Sequence, residues 1–277
     1  MTHDPDAELG RTPAGFYRGA VVMLDALGFK GIWNRAGLRQ LLEALRSLET
    51  ATRKGAEDLA SAIAGLRPRI AVRFLSDTVV CTVSHAIPFS EEGADGGEGA
   101  GPPMLRVGPF SVEVAIGFAA VAQSRAACLG VPLALRGCIG FGDFMVDRNF
   151  LVGPAIDEVA EHHQRAEGAV VWLLPSAEAQ LDLAGGGLDG RGLPPEALLR
   201  GVPSPLKSGG GERLSIVNPL AVPGVPDFVE SLLATFGDPP ASEEIRRKCE
   251  NTRAFLERAG RAVRGEDTGG GEDPGEP

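Results

Sequence analysis

Apolar residues recur along the chain with two spacings, which predict a mixture of strands and helices. Short runs rich in Val, Ile and Leu between turn residues are typical of buried strands. Apolar residues at i, i+3, i+4 and i+7, as between Leu38 and Leu48, indicate a helix with one buried face. The predicted strands are 20–24, 70–75, 78–83, 133–141, 143–146, 169–174 and 214–217; the predicted helices are 38–66, 112–128, 153–166, 227–236 and 242–261.

Two pairs of these strands are separated by only a few turn residues. Ser76 and Asp77 divide the second and third strands, and this spacing predicts a tight hairpin. Gly140, Phe141 and Gly142 divide the next pair and predict a second hairpin. Residues 182–211 carry no clear periodicity and are predicted to be loop.

The polar segments predict how the chain is divided. Residues 1–14 are expected to be a disordered lead, and 264–277 a disordered tail rich in Gly, Glu, Asp and Pro. Between them, 15–222 form the main domain and 223–263 contribute C-terminal helices. Residues 90–103 are rich in Glu and Gly and are expected to be a flexible surface insertion.

The order of the elements predicts the fold class. Strand, helix, hairpin, helix, hairpin, helix and strand in succession resemble a ferredoxin-like palm, a β-α-β-β-α-β core with additions. We therefore expect an α+β fold with C-terminal helices added. Such a palm places acidic residues of the first strand and of the central hairpin on one face of the sheet.

Composition narrows the range of partners. The 277 residues are 43% hydrophobic and 23% charged, as in an ordinary globular protein. The formal net charge of −10 argues against general affinity for nucleic acid or for an anionic membrane, which would need a basic face. The four cysteines have no metal-type spacing, and we expect free thiols in a reducing compartment. The polar start and the lack of a long apolar run predict a cytoplasmic protein.

Two carboxylates are the first candidates for chemistry. Asp25 and Asp77 each lie at the edge of an apolar run, where a charge is costly unless a cation meets it. A divalent cation between them would remove their repulsion and create a site for a triphosphate. Either residue alone is equally well explained as a turn former; taken together they favour metal binding.

Four segments carry a resemblance to a known family. They are Leu24-Asp25-Ala26-Leu27-Gly28-Phe29, Phe74-Leu75-Ser76-Asp77, Leu135-Arg136-Gly137-Cys138-Ile139-Gly140-Phe141-Gly142 and Val152-Gly153-Pro154-Ala155-Ile156. In this order they resemble the motifs of class III nucleotidyl cyclases over residues 18–220. Within that family the chain looks most like the bacterial antiviral pyrimidine cyclases of the Pycsar systems.

The resemblance implies a reaction and a set of site residues. Asp25 and Asp77, with the carbonyl of Ala26, would hold two Mn²⁺ or Mg²⁺ ions, while Phe29, Lys30 and Phe74 would bind substrate. UTP or CTP, with UTP favoured, would be converted to a 3′,5′-cyclic nucleotide and pyrophosphate. The resemblance also implies a homodimer with sites at the subunit interface, and a separate effector that the cyclic nucleotide activates in antiphage defence.

One departure from the family pattern concerns the helix after Gly153. The family carries an Asn and, four residues later, an Arg that stabilises the transferring phosphate. Asp157 and Glu161 occupy these positions here. Arg165, one turn beyond Glu161 on the predicted helix, is one candidate for the missing cation.

Arg136 and Lys30 are the other candidate cations. Arg136 lies in an apolar strand and needs a partner: it either pairs with Asp157 or Glu158 or touches substrate. Asp25, Asp77, Arg136 and Arg165 are therefore the predicted catalytic residues. The departure leaves two alternatives open, a purine (adenylate or guanylate) cyclase and a non-catalytic module that binds a nucleotide or dimerises.

Overall fold

The computed structural model describes residues 15–29, 32, 36–62, 68–86, 107–147, 150–183, 193–203, 205–207, 213–221, 227–237 and 240–266. The predicted lead 1–14 and insertion 90–103 lie outside the described residues, as does all but the start of the predicted tail. Those three predictions, and the division of the chain at residue 222, remain predictions.

The first half of the chain forms the predicted palm. Its elements are β1 (Gly15–Leu27), α1 (Leu38–Ala62), β2 (Arg69–Leu75), β3 (Thr78–Ala86), α2 (Val107–Ala127) and β4 (Ala134–Asp147). The strands lie in the order β2-β3-β1-β4, and each pair is antiparallel. This is the ferredoxin-like arrangement, so the predicted fold class is confirmed.

The second half extends the sheet from β4. It contains β5 (Phe150–Val152), α3 (Pro154–His162), β6 (Val171–Leu173), α4 (Pro175–Leu183), β7 (Leu198–Pro203), β8 (Arg213–Val217), α5 (Phe228–Ala234) and α6 (Glu243–Val263). β6 runs parallel to β4, β8 and β7 follow antiparallel, and β5 pairs separately with β4. The described residues thus build one mixed sheet of eight strands.

The helices cover both faces of this sheet. Ala20, Val22 and Leu24 of β1 face a core that includes side chains of α1, α2 and α4. Val21 and Met23 face a second core that includes side chains of α3, α5 and α6. We call these the α2 face and the α3 face. Because side chains alternate along a strand, Asp25 belongs with Val21 and Met23 on the α3 face.

Gly140 and Gly142 do not form the predicted turn. β4 is continuous and pairs with β1 from Ala134 to Val146, so the prediction of two separate strands is wrong. A Cβ on Gly140 would lie 2.9 Å from the Val159 side chain, and one on Gly142 would lie 3.4 Å from Ala155. The two glycines therefore let α3 approach the strand closely, a use of glycine that a sequence does not distinguish from a turn.

Other predicted elements differ in extent. The helix predicted over 153–166 ends at His162, and the strand predicted over 169–174 is limited to Val171–Leu173. The predicted loop 182–211 contains β7, and α4 was not predicted at all. The hairpin at Ser76-Asp77, the strand at Leu214–Val217 and the two C-terminal helices are confirmed with small changes of boundary.

Candidate functional site

Asp25 lies near the C-terminal end of β1, between two neighbouring strands. In the register of the sheet, Asp25 lies opposite Thr78 on β3 and opposite Arg136 on β4. Its side chain is only 7% exposed. A carboxylate at this depth needs charge compensation or several hydrogen bonds to stay ionised.

Arg136 provides that compensation. Its Nε and Nη2 donate to Asp25 Oδ2 at 3.2 and 3.1 Å, and its own side chain is 9% exposed. Its Nη1 donates to the carbonyl of Ala166 at 2.9 Å. Arg136 thus pairs with neither Asp157 nor Glu158; Glu158 instead accepts from Ser176 Oγ at 2.7 Å.

Asp77 lies in the turn that joins β2 to β3. Ser76 before it has a φ of 60°, a left-handed backbone that a two-residue hairpin loop accommodates. The carbonyl of Asp77 accepts from the backbone N–H of Ala26 at 3.0 Å. The fold therefore brings the Asp77 turn against the residue that follows Asp25, as predicted from the palm topology.

These residues suit a hard divalent cation. Carboxylate and carbonyl oxygens are the ligands that Mg²⁺ and Mn²⁺ prefer. Both bonds from Arg136 end on Oδ2 of Asp25, so Oδ1 takes part in neither. The Ala26 carbonyl makes one long bond, 3.4 Å, with the N–H of Phe29. Among the residues that the structure describes, no group of three or more His, Cys, Asp or Glu side chains comes together, so a cation here would depend on Asp25, Asp77 and backbone oxygen.

Two of the predicted substrate residues, Phe29 and Phe74, do not lie beside the Asp25 carboxylate. Phe29 and Phe74 are half-buried and pack against the core on the α2 face, across the sheet from the Asp25 carboxylate. Lys30 lies outside the described residues. Their assignment to substrate binding stays a prediction.

Arg165 does not share a helical face with Glu161. α3 ends at His162, and the N–H of Arg165 closes a turn onto the His162 carbonyl at 3.0 Å. The carbonyl of Arg165 accepts from the N–H of Lys207 at 3.0 Å. Asp157 and Glu161 are both exposed on α3. The helical spacing from which Arg165 was chosen is therefore wrong, although its segment lies beside Arg136, which bonds to the next residue, Ala166.

Lys207 is a candidate that sequence reasoning missed. Burial lowers the pKa of its ammonium group, and the charges of Arg136 and Lys248 lower it further, against the opposing pull of Glu167 and Glu244. Lys207 is brought here by the Ala166–Leu206 bridge. The only sequence signal was a lysine in a Pro- and Gly-rich loop, which does not reveal its neighbours.

Lys248 of α6 belongs to the same region. Its side chain is 18% exposed and pairs with Glu244 at 2.5 Å. The carbonyl of Lys248 accepts from Thr252 Oγ1, and that hydroxyl accepts from the N–H of Ala169. Arg136, Lys207 and Lys248 form what we call the cationic cluster.

The buried thiols offer no nucleophile. Burial raises the pKa of Cys81 and of Cys138 far above the ordinary thiol value. Both stay protonated at neutral pH, as expected for small buried hydrophobic side chains.

In the part of the chain that the structure describes, no helix combines the length and apolar character needed to cross a bilayer.

Comparison with known proteins gives similarity in structure only. No family model matches the chain, and no curated protein matches it. The catalytic core of a rhodopsin-guanylyl cyclase with converted specificity, in complex with ATPαS, aligns with a TM-score of 0.48 and 15% identity over 74% of this chain and 98% of that chain.

Two further structures align less closely. A bacterial light-regulated adenylyl cyclase has a TM-score of 0.41 and 9% identity over 80% of this chain and 99% of that chain. A class III adenylyl cyclase-like ATP-binding protein from Pseudomonas aeruginosa has a TM-score of 0.36 and 14% identity over 94% of this chain and 46% of that chain. Likenesses of this size establish neither a family nor an activity for this chain.

Proposed function

We propose that this protein is a class III nucleotidyl cyclase that converts a pyrimidine nucleoside triphosphate into its 3′,5′-cyclic nucleotide and pyrophosphate. The observation that supports this proposal is the contact between the C-terminal end of β1 and the turn that joins β2 to β3. It places Asp25 beside Thr78, and it joins Ala26 to Asp77 through a 3.0 Å backbone bond. Two aspartates that are 52 residues apart in the chain thereby come to the same end of neighbouring strands.

The reaction requires charge compensation at that end of the strands. The ribose 3′-hydroxyl gives up its proton to water as its oxygen attacks the α-phosphorus, the bond from that phosphorus to the bridging oxygen breaks, and pyrophosphate leaves with the electron pair. Asp25, Asp77 and the Ala26 carbonyl would hold divalent cations, which when bound supply Lewis-acid stabilisation of the attacking oxygen and of the triphosphate. Arg136 holds the Asp25 carboxylate in position through two hydrogen bonds.

The cationic cluster supports a polyphosphate ligand. Arg136, Lys207 and Lys248 stand close enough for the charges of the other two to lower the pKa of Lys207. Arg136 is already bonded to Asp25 and to the Ala166 carbonyl. A triphosphate tail at this site would therefore meet compensating charge from Lys207 and Lys248.

The finer assignments rest on the motif resemblance described above. They are the pyrimidine base, with UTP favoured over CTP, the homodimer with sites at its interface, the cytoplasmic location and a separate effector that the cyclic nucleotide switches on. A purine cyclase is the alternative within the same chemistry, and the choice of triphosphate decides between them.

The test is turnover with matched variants. The purified protein is incubated with Mn²⁺ and each of ATP, GTP, CTP and UTP, and products are separated by chromatography. We expect a cyclic product from UTP or CTP with the wild type, none with Asp77→Ala, and an unchanged rate with Asp147→Ala, which removes an exposed carboxylate at the far end of β4. A product from ATP or GTP alone would assign a purine cyclase.

A non-catalytic nucleotide-binding module is the second candidate. It is favoured by the exposed acids Asp157 and Glu161, which stand where the family carries a neutral amide and a cation, and by the place of Arg165 beyond the end of α3. Binding of a triphosphate by folded protein, without turnover of any of the four, would support this candidate over the first.

A further inference from the structure

The Asp25–Arg136 pair has a property that the proposed function does not require. Both side chains are almost fully buried, and three nitrogens of Arg136 are committed, two to Asp25 and one to the Ala166 carbonyl. The chain therefore neutralises Asp25 from within. A buried carboxylate that depended on a metal ion would lack such a partner and would repel its neighbours when the metal was absent.

The arrangement also sets the charge that an incoming cation meets. Asp25 and Asp77 contribute two negative charges, and Arg136 offsets one of them. Lys207 adds positive charge within range of Arg136, and Lys248 lies within range of Lys207, with Glu167 and Glu244 opposing them. A divalent cation that approaches Asp25 is therefore attracted more weakly than it would be by the two carboxylates alone, because the guanidinium bonded to one of them repels it.

We infer that Arg136 is a resident counter-ion of Asp25 that competes with divalent metal, so that metal binds firmly only together with a polyphosphate. This rests on the proposed function for the identity of the metal-binding site. A polyphosphate brings its own negative charge, which compensates the cationic cluster and restores the attraction for a divalent ion. Metal and nucleotide then bind cooperatively, and the metal-free protein stays folded at this site.

The same two strands contain a matched control. Arg18 on β1 is the Cα partner of Asp143 on β4, and the two form an ion pair at 3.2 Å. The Arg18 side chain is 48% exposed and the Asp143 side chain is 62% exposed, so water already screens the pair. Arg18→Met removes an arginine from a β1–β4 ion pair without touching Asp25.

The experiment is a titration of the full chain with Mn²⁺ alone, with free Mn²⁺ followed by electron paramagnetic resonance and no nucleotide present. We expect Arg136→Met to bind Mn²⁺ at least about tenfold more tightly than the wild type, because a like charge beside the cation is gone. Arg136→Lys and Arg18→Met should both bind as weakly as the wild type. The double variant Asp25→Asn with Arg136→Met should lose the gain.

Two further measurements test folding and the cooperativity of metal and polyphosphate binding. If Arg136→Met unfolds in the absence of metal and folds when Mn²⁺ is added, as followed by circular dichroism, the competition is supported. Inorganic tripolyphosphate should tighten Mn²⁺ binding by the wild type more than by Arg136→Met, after correction for Mn²⁺ bound to free tripolyphosphate. Equal or weaker Mn²⁺ binding by folded Arg136→Met would overturn the inference.

These readouts are separate from turnover. A wild type that makes no cyclic product but shows the Mn²⁺ results would defeat the proposed function and leave the competition at Asp25 intact. A wild type that turns over UTP or CTP, with Mn²⁺ affinity unaffected by Arg136→Met, would defeat the inference alone.

Discussion

At the scale of single residues, the buried ion pair makes a prediction about stability. Removing Arg136 alone leaves the Asp25 carboxylate buried without its partner, which typically costs about 3–5 kcal/mol. We expect Arg136→Met to lower the free energy of unfolding by this amount in metal-free urea denaturation, and Asp25→Asn combined with Arg136→Met to recover most of it. A single variant as stable as the wild type would contradict the buried pair.

Gly137 makes a second prediction at this scale. A Cβ at this position would lie 2.0 Å from the carbonyl oxygen of Met23 on β1, and backbone cannot move aside as a flexible side chain can. We expect Gly137→Ala to lower the free energy of unfolding by about 3 kcal/mol or more, measured by urea denaturation.

Gly130 is the matched control for that variant. A Cβ added at Gly130 would have no atom within 4 Å. Gly130 follows the end of α2, and its backbone does not adopt the left-handed conformation that favours glycine. Gly130→Ala should leave stability within about 0.5 kcal/mol of the wild type. A similar loss in both variants would point to a general sensitivity of the chain rather than to the close approach of β1 and β4.

At the scale of secondary-structure elements, Ser176 links three of them. Its hydroxyl accepts from the N–H of Phe141 on β4 at 2.9 Å and donates to Glu158 of α3 at 2.7 Å, while Ser176 itself lies in α4. Ser176→Ala leaves a backbone N–H without this acceptor and should cost about 1–3 kcal/mol. Thermal unfolding measures it, with exposed Ser47→Ala as the control expected to change nothing.

The helices and strands were predictable where apolar residues recur in the sequence with helical or strand spacing. The apolar spacing of α1, the runs on both sides of Ser76-Asp77 and the order of the first six elements led to the palm and to the approach of Asp25 and Asp77. β7 was not predictable in the same way, because Gly201 and Pro203 interrupt its six residues and make it resemble loop. α4 was missed because its nine residues have little amphipathic period and are soon followed by a Gly-rich stretch.

The partner of Arg136 could not have been found from the sequence. Asp25 and Arg136 are 111 residues apart, and their contact follows from the register between β1 and β4. Pattern reasoning shows that an arginine in an apolar strand needs a partner, but the register is set by packing of the whole sheet. Lys207 is similar, since its neighbours come from β4 and α6, which only the folded chain brings together.

At the scale of the whole molecule, the contrast between net charge and local charge leads to the last prediction. The chain is acidic overall, yet Lys207 lies within electrostatic range of both Lys248 and Arg136, and Arg136 is bonded to Asp25. Lys207→Met should weaken binding of inorganic tripolyphosphate about tenfold, since one charge-assisted contact is lost. Isothermal titration calorimetry in the absence of metal measures this, with exposed Lys54→Met on α1 as the control expected to bind like the wild type.

The pH dependence of tripolyphosphate binding is a second test of Lys207, an exposed residue whose pKa is nevertheless lowered from the ordinary lysine value. Burial and two neighbouring cations lower the folded pKa of Lys207, so its ammonium loses its proton at a lower pH than an ordinary lysine does. Tripolyphosphate affinity should therefore begin to fall at a lower pH than the pH at which ordinary lysines lose their proton. Lys207→Met should flatten this fall. The same fall in Lys207→Met as in the wild type would mean that another group titrates, and Lys207 would then have no part in holding the anion.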